Sequence, residues 1–468
     1  MASDWIELSL SELTTKITKG TTPTKKDGGF SREGINYIKS EAVTFDGRID
    51  ESKFTFISSE IHKKLKRSQL EESDILMSMA GIHLGKTAIV RTRHLPANTN
   101  QALALIRPIK NKIYPDYLFY FLQQSSVVYF INNSTSQSAQ PNINLQEIGS
   151  LNIKFPLLAE QKAIAHILGS LDNKIELNRQ MNETLEAMAQ ALFKSWFVDF
   201  DPVIDNALAA GNAIPDEFIE RAEQRKGIEK KENSDIQGLF PDEFEFTEEM
   251  GWIPKEWAVR NLTEIADFQN GFAFYTTGYS ETGYKVVDLA NIHTDGRFIE
   301  THRDKHVSPE IYNLPKHEKH RLYKDDIVMA MTDMTQAMGI LGKCGKIYES
   351  NKYILNQRIG KIRAKEDVNI NFLLTYLNSD YQLSFLKTRV LGTVQKYINT
   401  THIKEMNFII PQAEVMDRFG NIVDPQFNKM READEENENL VKLRDTLLPK
   451  LLSGELRIPD AAEWAEEI

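Results

Sequence analysis

The chain has 468 residues, of which 41% are hydrophobic and 26% charged, and its formal net charge is −11. This length predicts roughly two to four domains, and the composition is typical of a globular protein with sizeable cores. The single cysteine, Cys344, excludes an internal disulfide and a cysteine-based zinc cluster. Because no apolar run is long enough for a bilayer and the N-terminus lacks a signal-peptide pattern, we expect a cytoplasmic protein.

The negative charge is unevenly distributed along the chain. Residues 1–157 have a formal balance of +4 and residues 257–411 of +3, so all other residues together carry −18. The overall charge argues against a nucleic-acid partner, but these two segments could still approach phosphates.

The first segment, residues 1–157, has the mixed pattern of an α/β domain. The alternating runs KFTFIS and DILMSM are short and bounded by Gly, Asp and Ser, which predicts strands. Large apolar residues recur at spacings of three and four in DYLFYFLQQSSVVYFI, at residues 116–131, which predicts a helix. We therefore expect a first domain over residues 1–157.

Residues 158–200 are predicted to form a long helix. Its apolar residues follow steps of mostly three and four over about 40 residues, which corresponds to roughly 60 Å. These apolar residues form a stripe along the helix, and Gly169 and the polar residues Asn178 and Asn182 are predicted to weaken its packing. The apolar positions are Ile164, Leu168, Leu171, Ile175, Met181, Leu185, Met188, Leu192 and Trp196.

Residues 201–250 are polar and charged, which predicts a linker with room for one short helix. Pro215-Asp216 followed by Glu229-Lys230-Lys231 is similar to a metal-dependent nuclease pattern. Such a site needs carboxylates on neighbouring strands, and no strand pattern surrounds these residues. A solvated charge run is therefore the favoured interpretation.

The second half of the chain repeats the first at an offset between 249 and 256 residues. The matched segments keep their order over roughly 150 residues, which indicates a duplicated unit. We therefore predict a second domain over residues 251–411, a second long helix over 412–454 that ends at Ser453-Gly454, and a C-terminal tail over 455–468. The matched pairs are Trp5 with Trp257, 46–48 with 295–297, 70–79 with 322–331, 100–101 with 356–357, 116–122 with 371–377, 140–144 with 395–399 and Pro156 with Pro411.

Motifs for catalysis are missing from the sequence. There is no GxxxxGK[ST] phosphate loop and no GxGxxG dinucleotide loop. Asp201-Pro202-Val203 is the nearest match to the tetrad that grips a flipped adenine, but it lacks the second proline and the ring. We interpret it as a helix end that packs Phe197 and Phe200. We interpret Cys344 as a small buried residue. We predict that five histidines lie in surface loops, namely His293, His302, His306, His317 and His320.

Three polar loops recur at equivalent positions in the two copies, although their residues differ. Amides, hydroxyls and basic side chains are the groups that contact phosphates and base edges. We therefore predict DNA contacts in the first copy from Lys19, Thr21, Thr22, Lys25, Lys26, Ser78, His83, Lys86, Gln140 and Asn142. In the second copy the candidates are Asn270, Phe272, Tyr275, Thr332, Thr335, Gln395 and Lys396.

The sequence resembles the specificity subunit of type I restriction–modification enzymes over essentially its whole length. The resemblance rests on residues 156–203, on LFPDEF and GWIPKEW before the second domain, and on residues 440–458. KGTTP, DILMS and QPNIN are further family-like pieces, whereas WIELSLSEL lacks the GWIP-type lead-in of the second copy.

The resemblance implies an α+β fold with two target-recognition domains, each followed by a long helix, and the two helices forming an antiparallel coiled-coil spacer. It implies a non-catalytic subunit whose domains each recognise half of a bipartite double-stranded DNA site. Two methyltransferase subunits and two motor–nuclease subunits would be its partners. Those partners, rather than this chain, would use S-adenosylmethionine, ATP and Mg²⁺. The residues expected to dock the methyltransferase are Leu185, Met188, Leu192, Trp196, Leu440, Leu443 and Leu447.

Two other functions remain open from the residues alone. One is an autonomous nuclease or methyltransferase, against which the missing motifs argue. The other is a coiled-coil scaffold whose domains bind protein and have no DNA specificity.

Overall fold

The computed structural model describes residues 5–458 except 25, 27, 82–83, 135–141, 228–233, 275–277, 302–304, 334, 336 and 393–394. The chain divides into two compact units. Unit 1 comprises residues 1–176 and 439–468, and unit 2 comprises residues 177–438. Each unit contains one copy of the repeat together with part of both long helices.

Unit 1 is built on two small sheets. The strands β2, β8, β5 and β6 form an antiparallel four-stranded sheet in the order β2-β8-β5-β6, and β4-β3-β7 form a second sheet in which β3 and β7 are parallel. A separate pair joins β1 to β9. The strands are β1 Ile6–Ser9, β2 Thr14–Lys19, β3 Ile35–Ile38, β4 Thr55–Ile57, β5 Ile75–Ser78, β6 Thr87–Ile89, β7 Ala97–Thr99, β8 Leu103–Pro108 and β9 Asn152–Phe155.

All helices of unit 1 except the first pack against one face of the larger sheet, whereas Ile61 of the first helix packs with Tyr37 and Ile57 of the smaller sheet. Residues 116–131, predicted as one helix, form two, because Gln124 leaves the helical conformation (φ −56°, ψ 136°). Tyr117 and Leu118 of the first of these helices pack into the core with Ile75 and Ile106 of the sheet. The helices are α1 Ser59–Lys64, α2 Pro115–Gln123, α3 Ser125–Ser134, α4 Leu145–Gly149 and the start of α5 Leu158–Phe197.

Within unit 1 the first part of α5 pairs with the last part of α14, Ala413–Ser453. Arg457 Nε lies 2.7 Å from Glu160 Oε1, and Arg444 Nη1 lies 2.9 Å from Asp172 Oδ1. Residues further along α5 thus contact residues that come earlier in the C-terminal segment, so the helices run antiparallel, as predicted. Leu451, near the end of α14, is buried in the same core as α2.

Unit 2 repeats the architecture of unit 1. Strands β13, β21, β17 and β19 form the antiparallel sheet, and β15-β14-β20-β16 form the second sheet with β14 and β20 parallel. The remaining pairs are β10-β11, β12-β23 and β18-β22. The strands are β10 Phe244–Thr247, β11 Gly251–Pro254, β12 Ala258–Asn261, β13 Ala266–Asn270, β14 Tyr284–Val287, β15 Lys305–Val307, β16 Arg321–Leu322, β17 Ile327–Ala330, β18 Thr332–Asp333, β19 Cys344–Lys346, β20 Tyr353–Leu355, β21 Ile359–Ala364, β22 Lys396–Tyr397 and β23 Asn407–Ile410.

The core of unit 2 is rich in aromatic rings contributed by both long helices. Phe193 and Phe197 of α5 contact Phe372 of the domain and Phe419 of α14 at centroid distances between 4.9 and 5.9 Å. Cys344 is fully buried, as predicted. The helices are α6 Asp201–Ala210, α7 Ile219–Lys226, α8 Ser234–Gln237, α9 Leu262–Ile265, α10 Pro309–Tyr312, α11 Ile370–Leu377, α12 Asp380–Lys387 and α13 Thr400–Lys404.

The predicted linker over residues 201–250 is largely folded, which corrects the sequence-based expectation. It contains α6, α7, α8 and β10. Asp201 and Asp205 are buried on α6 and bind Arg221 and Arg225 of α7; Arg221 Nε lies 2.7 Å from Asp201 Oδ1. Phe200 is buried just before α6, as predicted for a helix end. These buried ion pairs look like ordinary surface charge in the sequence, which is why composition alone predicted a linker.

Within the described residues, no helix is both long enough and apolar enough to cross a membrane.

Candidate nucleic-acid interface

In unit 1, the polar loops meet at one edge of the four-stranded sheet. Strand register pairs Lys19 with Ala104 and Ser78 with Leu103, so the loop after β2, the loop after β5 and the connection before β8 leave the sheet together. Asn142 of the late polar loop forms a bridge with Ala80 of the loop after β5. We call this surface the loop edge of unit 1; it comprises the described residues 19–24, 26, 28–34, 79–81, 84–86, 99–102 and 142–144.

Unit 2 has the same arrangement. Asn270 pairs with Gly360 and Ala330 with Ile359, so the loops after β13 and β17 and the connection before β21 share one edge. The late loop joins them through the β18-β22 pair. Thr400 Oγ1 donates to Asn270 Oδ1 at 3.1 Å, which links the late loop to the first. The loop edge of unit 2 comprises the described residues 270–274, 278–283, 331–333, 335, 337–343, 356–358 and 395–399.

A glycine at the start of the first loop permits this convergence in both copies. A Cβ on Gly20 would collide with the carbonyl oxygen of Thr99, and one on Gly271 with that of Asn356. Because the backbones approach this closely, the first loop packs directly on the segment before the central strand. The glycine is therefore required by packing at both loop edges.

The first loop of unit 1 is held by hydroxyl groups. Thr21 N–H donates to Thr99 O at 3.0 Å, and the Tyr37 hydroxyl donates to Thr21 O at 2.9 Å. Burial raises the pKa of Tyr37 to about 12, so this hydroxyl remains a donor at neutral pH. Thr22 Oγ1 donates to Gln101 Oε1. Thr21 and Thr22 are consequently half-buried and fixed.

Exposed lysines extend this surface in unit 1, whereas two other candidates are restrained. Lys19 and Lys26 are exposed, and so is Asn142. Lys86 is half-buried, with Nζ 3.9 Å from the centroid of the exposed Phe45 ring. Ser78 is completely buried, and its Oγ has no hydrogen-bond partner among the described residues, so the prediction of a direct DNA contact from this side chain is wrong.

Three further candidates, Lys25, His83 and Gln140, lie outside the described residues, as does Tyr275 of unit 2.

The first loop of unit 2 uses an aromatic contact where unit 1 uses hydroxyls. The half-buried Phe272 ring lies 4.6 Å from the ring of His317 and 5.6 Å from that of His320. Both histidines are buried, so the prediction of surface-loop histidines is wrong for this pair. Burial, together with the nearby Lys319, lowers the pKa of His320. A neutral imidazole is the form that an aromatic core accommodates.

The second loop of unit 2 is ordered by one carboxylate. Asp333 accepts hydrogen bonds from Thr335 N at 2.7 Å, Thr335 Oγ1 at 2.8 Å and Ile340 N at 3.0 Å. Thr335 is exposed on this turn, whereas Thr332 is half-buried and its Oγ1 has no partner among the described residues. The loop therefore presents Thr335 in a fixed position.

The late loop and first strand end of unit 2 add further polar groups. Asn270 is exposed, and Gln395 and Lys396 are half-buried. Lys396 Nζ donates to Gly392 O at 3.1 Å. Gln357 and Arg358, which the sequence reasoning did not select, are exposed beside them.

A basic stretch beside the first loop was also missed at the sequence level. Lys63, Lys64, Lys66 and Arg67 are exposed in the sequence HKKLKR, and Arg67 Nη2 donates to Thr21 Oγ1 at 3.1 Å. Four basic residues within six positions were a usable signal. They indicate a phosphate-binding flank of the loop edge.

Unit 2 places a smaller basic flank at the equivalent position. Lys316 and Lys319 are exposed, and Lys316 Nζ lies 5.6 Å from the centroid of the Phe272 ring. The two loop edges thus share a plan but differ in their chemistry.

The predicted docking residues of the long helices divide into exposed and buried groups. Met188 and Leu443 are exposed by 54% and 46%. Trp196 is buried, and its ring contacts Phe240 at 5.1 Å, so the prediction that it forms part of a docking surface is wrong. Half-buried residues make up the rest of the set, Leu185, Leu192, Leu440 and Leu447.

No cluster of metal-ligating side chains accompanies these surfaces. Among the described residues, no group of three or more His, Cys, Asp or Glu is placed to hold a metal ion.

A duplicated domain with converging polar and basic loops defines a protein of the tandem nucleic-acid-recognition class. The family described as type I restriction modification DNA specificity domain matches the chain twice, over residues 2–187 and 254–435. The chain is 26% identical to the type I restriction enzyme HindI specificity subunit of Haemophilus influenzae, over 97% of this chain and 100% of that protein. It is 27% identical to the MjaVIII specificity subunit of Methanocaldococcus jannaschii, over 91% of each chain.

Its fold is similar to the crystal structure of the S subunit of a type I restriction–modification system from M. genitalium, with a TM-score of 0.53 and 16% identity over 96% of each chain. The chain belongs to the family of type I restriction–modification specificity subunits. It is the non-catalytic subunit that recognises DNA sequence within a complex with partner subunits, and catalysis lies in the other subunits. This confirms the resemblance, the fold class and the absence of an autonomous enzymatic role expected from the sequence.

Proposed function

We propose that each unit recognises one half of a bipartite, asymmetric DNA site through its loop edge. The observation that carries this proposal is the convergence of the same three loops at the same sheet edge in both units. Equivalent positions hold different groups, such as Lys19 in unit 1 and Asn270 in unit 2. Different side chains on a shared frame suit two half-sites of different sequence.

The loop residues divide by chemistry into two roles. Lysines and arginines bind phosphates, in unit 1 from Lys19, Lys25, Lys26, Lys86 and the HKKLKR flank, and in unit 2 from Lys396 and the Lys316–Lys319 flank. Amides, hydroxyls and rings contact bases or fix the loops that do so. That group comprises Thr21, Thr22, His83, Gln140 and Asn142 in unit 1, and Asn270, Phe272, Tyr275, Thr332, Thr335 and Gln395 in unit 2.

The long helices set the number of base pairs between the half-sites, which we call the gap, and dock two methyltransferase subunits. The exposed apolar side chains of Met188 and Leu443 are suited to docking, because single large apolar groups on a charged helix gain most from a partner surface. Two motor–nuclease subunits complete the assembly. S-adenosylmethionine, ATP and Mg²⁺ are used by those partners.

Exchange of the first domain tests this division of labour. Residues 1–157 are replaced by the corresponding domain of another family member. The chimeric chain is expressed together with the partner subunits, and methylated adenines are mapped in the DNA of the host cells. We expect one half-site to change while the other half-site and the gap stay the same. A change in both half-sites would refute independent recognition.

The alternative of a protein-binding scaffold makes a different prediction in the same experiment. For a scaffold without DNA specificity, the exchanged chain would leave the methylated sequence as it is in the wild type. A sequence-specific footprint of the wild-type chain with its methyltransferase would also eliminate that alternative.

A further inference from the structure

Two buried asparagines interrupt the helix pair inside unit 2. Asn178 and Asn182 of α5 are 2% and 0% exposed. They are four residues apart and therefore lie on the same face of the helix. Burying an amide costs free energy unless its hydrogen bonds are replaced, so an apolar residue would be the ordinary choice for this position. The sequence alone suggested that these residues weaken the helix pair.

Both asparagines bind partners on α14. Asn182 Nδ2 donates to Asp434 Oδ1 at 2.9 Å and to Met430 O at 3.3 Å. Asn178 Nδ2 donates to Glu436 Oε2 at 2.7 Å and to Asn437 Oδ1 at 3.0 Å. The acidic run READEENENL, which is unusual in the middle of a helix seam, thus supplies the acceptors.

These hydrogen bonds are compatible with one alignment of the helices. A slip of one helical turn moves α14 by about 5.4 Å along α5, which is enough to separate every donor from its acceptor. At least one of the two buried amides would then lack an acceptor, at a cost of roughly 1 to 3 kcal/mol. Apolar seam residues impose no comparable penalty, because one leucine can replace another. A buried asparagine in a helix pair is known to select register at some cost in stability.

The same carboxylate also fixes the second domain on the helices. Both oxygens of Asp434 bind Arg297 Nη1, and Arg297 Nε donates to Asp295 Oδ2 at 2.8 Å. Arg297 is only 11% exposed. One side chain of α14 therefore contacts both the first helix, through Asn182, and the domain, through Arg297.

We propose that Asn178, Asn182, Asp434 and Arg297 form a register cluster that determines the gap between the two half-sites. This inference rests on the proposed function, in which the helices set the gap. The inference assigns the choice of gap to four polar side chains. The length of the helices alone would not determine which register they adopt. A slip of one heptad corresponds to about 10.5 Å, or roughly three base pairs of DNA.

The test uses the complete complex with the Asn178→Leu/Asn182→Leu chain and maps methylated adenines across host DNA. We expect unchanged half-sites, with methylation at sites whose gap differs from the wild type rising by at least about tenfold. Asn173→Leu is the matched control, because Asn173 is an exposed asparagine of the same helix. This control should keep the wild-type gap.

Thermal unfolding separates register selection from a merely structural role. Because leucine suits an apolar seam, the double variant should keep or raise its unfolding temperature while it loses gap fidelity. A lower unfolding temperature with the gap unchanged would overturn the proposal.

The remaining outcomes are also decisive. If the double variant does not assemble, Asn182→Ala is examined, and a single wild-type gap in its assembled complex would overturn the proposal. Failure of both variants to assemble would assign the asparagines to stability and overturn it as well. If the wild-type complex methylates no two-part site, the proposed function fails, a result that is distinct from a fixed gap in the variants.

Discussion

The two copies of the Asp-Gly-Arg turn show how one motif performs two structural tasks. In unit 1, Arg48 is 36% exposed, lies 3.7 Å from Glu176 of α5, and borders a cavity of about 640 Å³. In unit 2, Arg297 is 11% exposed, is bound between Asp295 and Asp434, and borders a cavity of only about 20 Å³.

The difference follows from which helix residue faces the arginine. A loose, partly solvated ion pair contributes little to stability, whereas breaking a buried one leaves an uncompensated charge. The turn is therefore a fixed anchor in unit 2 and a weak contact in unit 1. Three matched sets of substitutions, each made in both units, would break or sharpen this comparison.

Removal of the arginine should give the largest contrast. Arg297→Met leaves Asp295 and Asp434 without their shared cation, so we expect the free energy of unfolding to fall by about 3 to 5 kcal/mol. The matched change Arg48→Met should cost about 1 kcal/mol or less. Denaturant unfolding of the two variants measures both values, and equal losses would show that the two anchors are equivalent.

Acid should lower the stability of the two units to different extents, because the carboxylates three residues after the two turns, Glu300 in unit 2 and Glu51 in unit 1, differ in their surroundings. Although burial opposes it, hydrogen bonds from Lys285, Lys352 and Tyr353 lower the pKa of Glu300 to about 2. A lowered carboxyl pKa stabilises the fold above the unfolded value of 4.5, and this stability disappears as the pH falls from there toward 2. Glu300→Gln should therefore remove on the order of 2 kcal/mol at pH 7 and flatten the acid dependence.

The counterpart in unit 1 is the control for this acid effect. Glu51, three residues after Arg48, is 50% exposed, so Glu51→Gln should change stability by no more than about 0.5 kcal/mol. Unfolding free energies measured at several pH values test the pair. Parallel acid curves for wild type and Glu300→Gln would contradict the assignment.

The basic flanks should give the smallest effects. The double variant Lys66→Ala/Arg67→Ala is measured in the complex with the methyltransferase. The slope of log affinity against log salt concentration should fall by the amount expected for the loss of about two phosphate contacts. Lys316→Ala/Lys319→Ala should do the same for unit 2, without changing either half-site sequence. Lys110→Ala, beyond the opposite end of β8, is the control and should leave the salt dependence unchanged. Anisotropy titrations at several salt concentrations measure the slope.

The sequence predicted the features that depend on local pattern and on the repeat. The strand at residues 75–78, the helix that ends at Ser453 and the equivalence of the two loop sets follow from spacing and turn residues alone. The convergence of those loops requires strand register, which links residues such as Lys19 and Ala104. Local spacing carries little information about such distant pairs.

The features that were missed are polar residues with distant partners. Asp201 and Asp205 look solvated until Arg221 and Arg225 are placed beside them, and His317 looks exposed until Phe272 covers it. Composition treats a charged or polar residue as a surface residue, because isolated polar groups are costly to bury. A partner many positions away reverses that rule, and only the folded chain shows the partner.

Unit 1 is built from segments at both ends of the chain, and this has a consequence for its folding during synthesis. Glu160 and Arg457 are 297 positions apart, and Leu451 completes the same core as the first domain. At a translation rate of about 5 to 20 residues per second, the first domain waits roughly 15 to 60 s for these residues to emerge. Unit 2 is one continuous stretch and can close during that interval. The domain made first is thus the one finished last, and until then its uncovered apolar groups are open to chaperones.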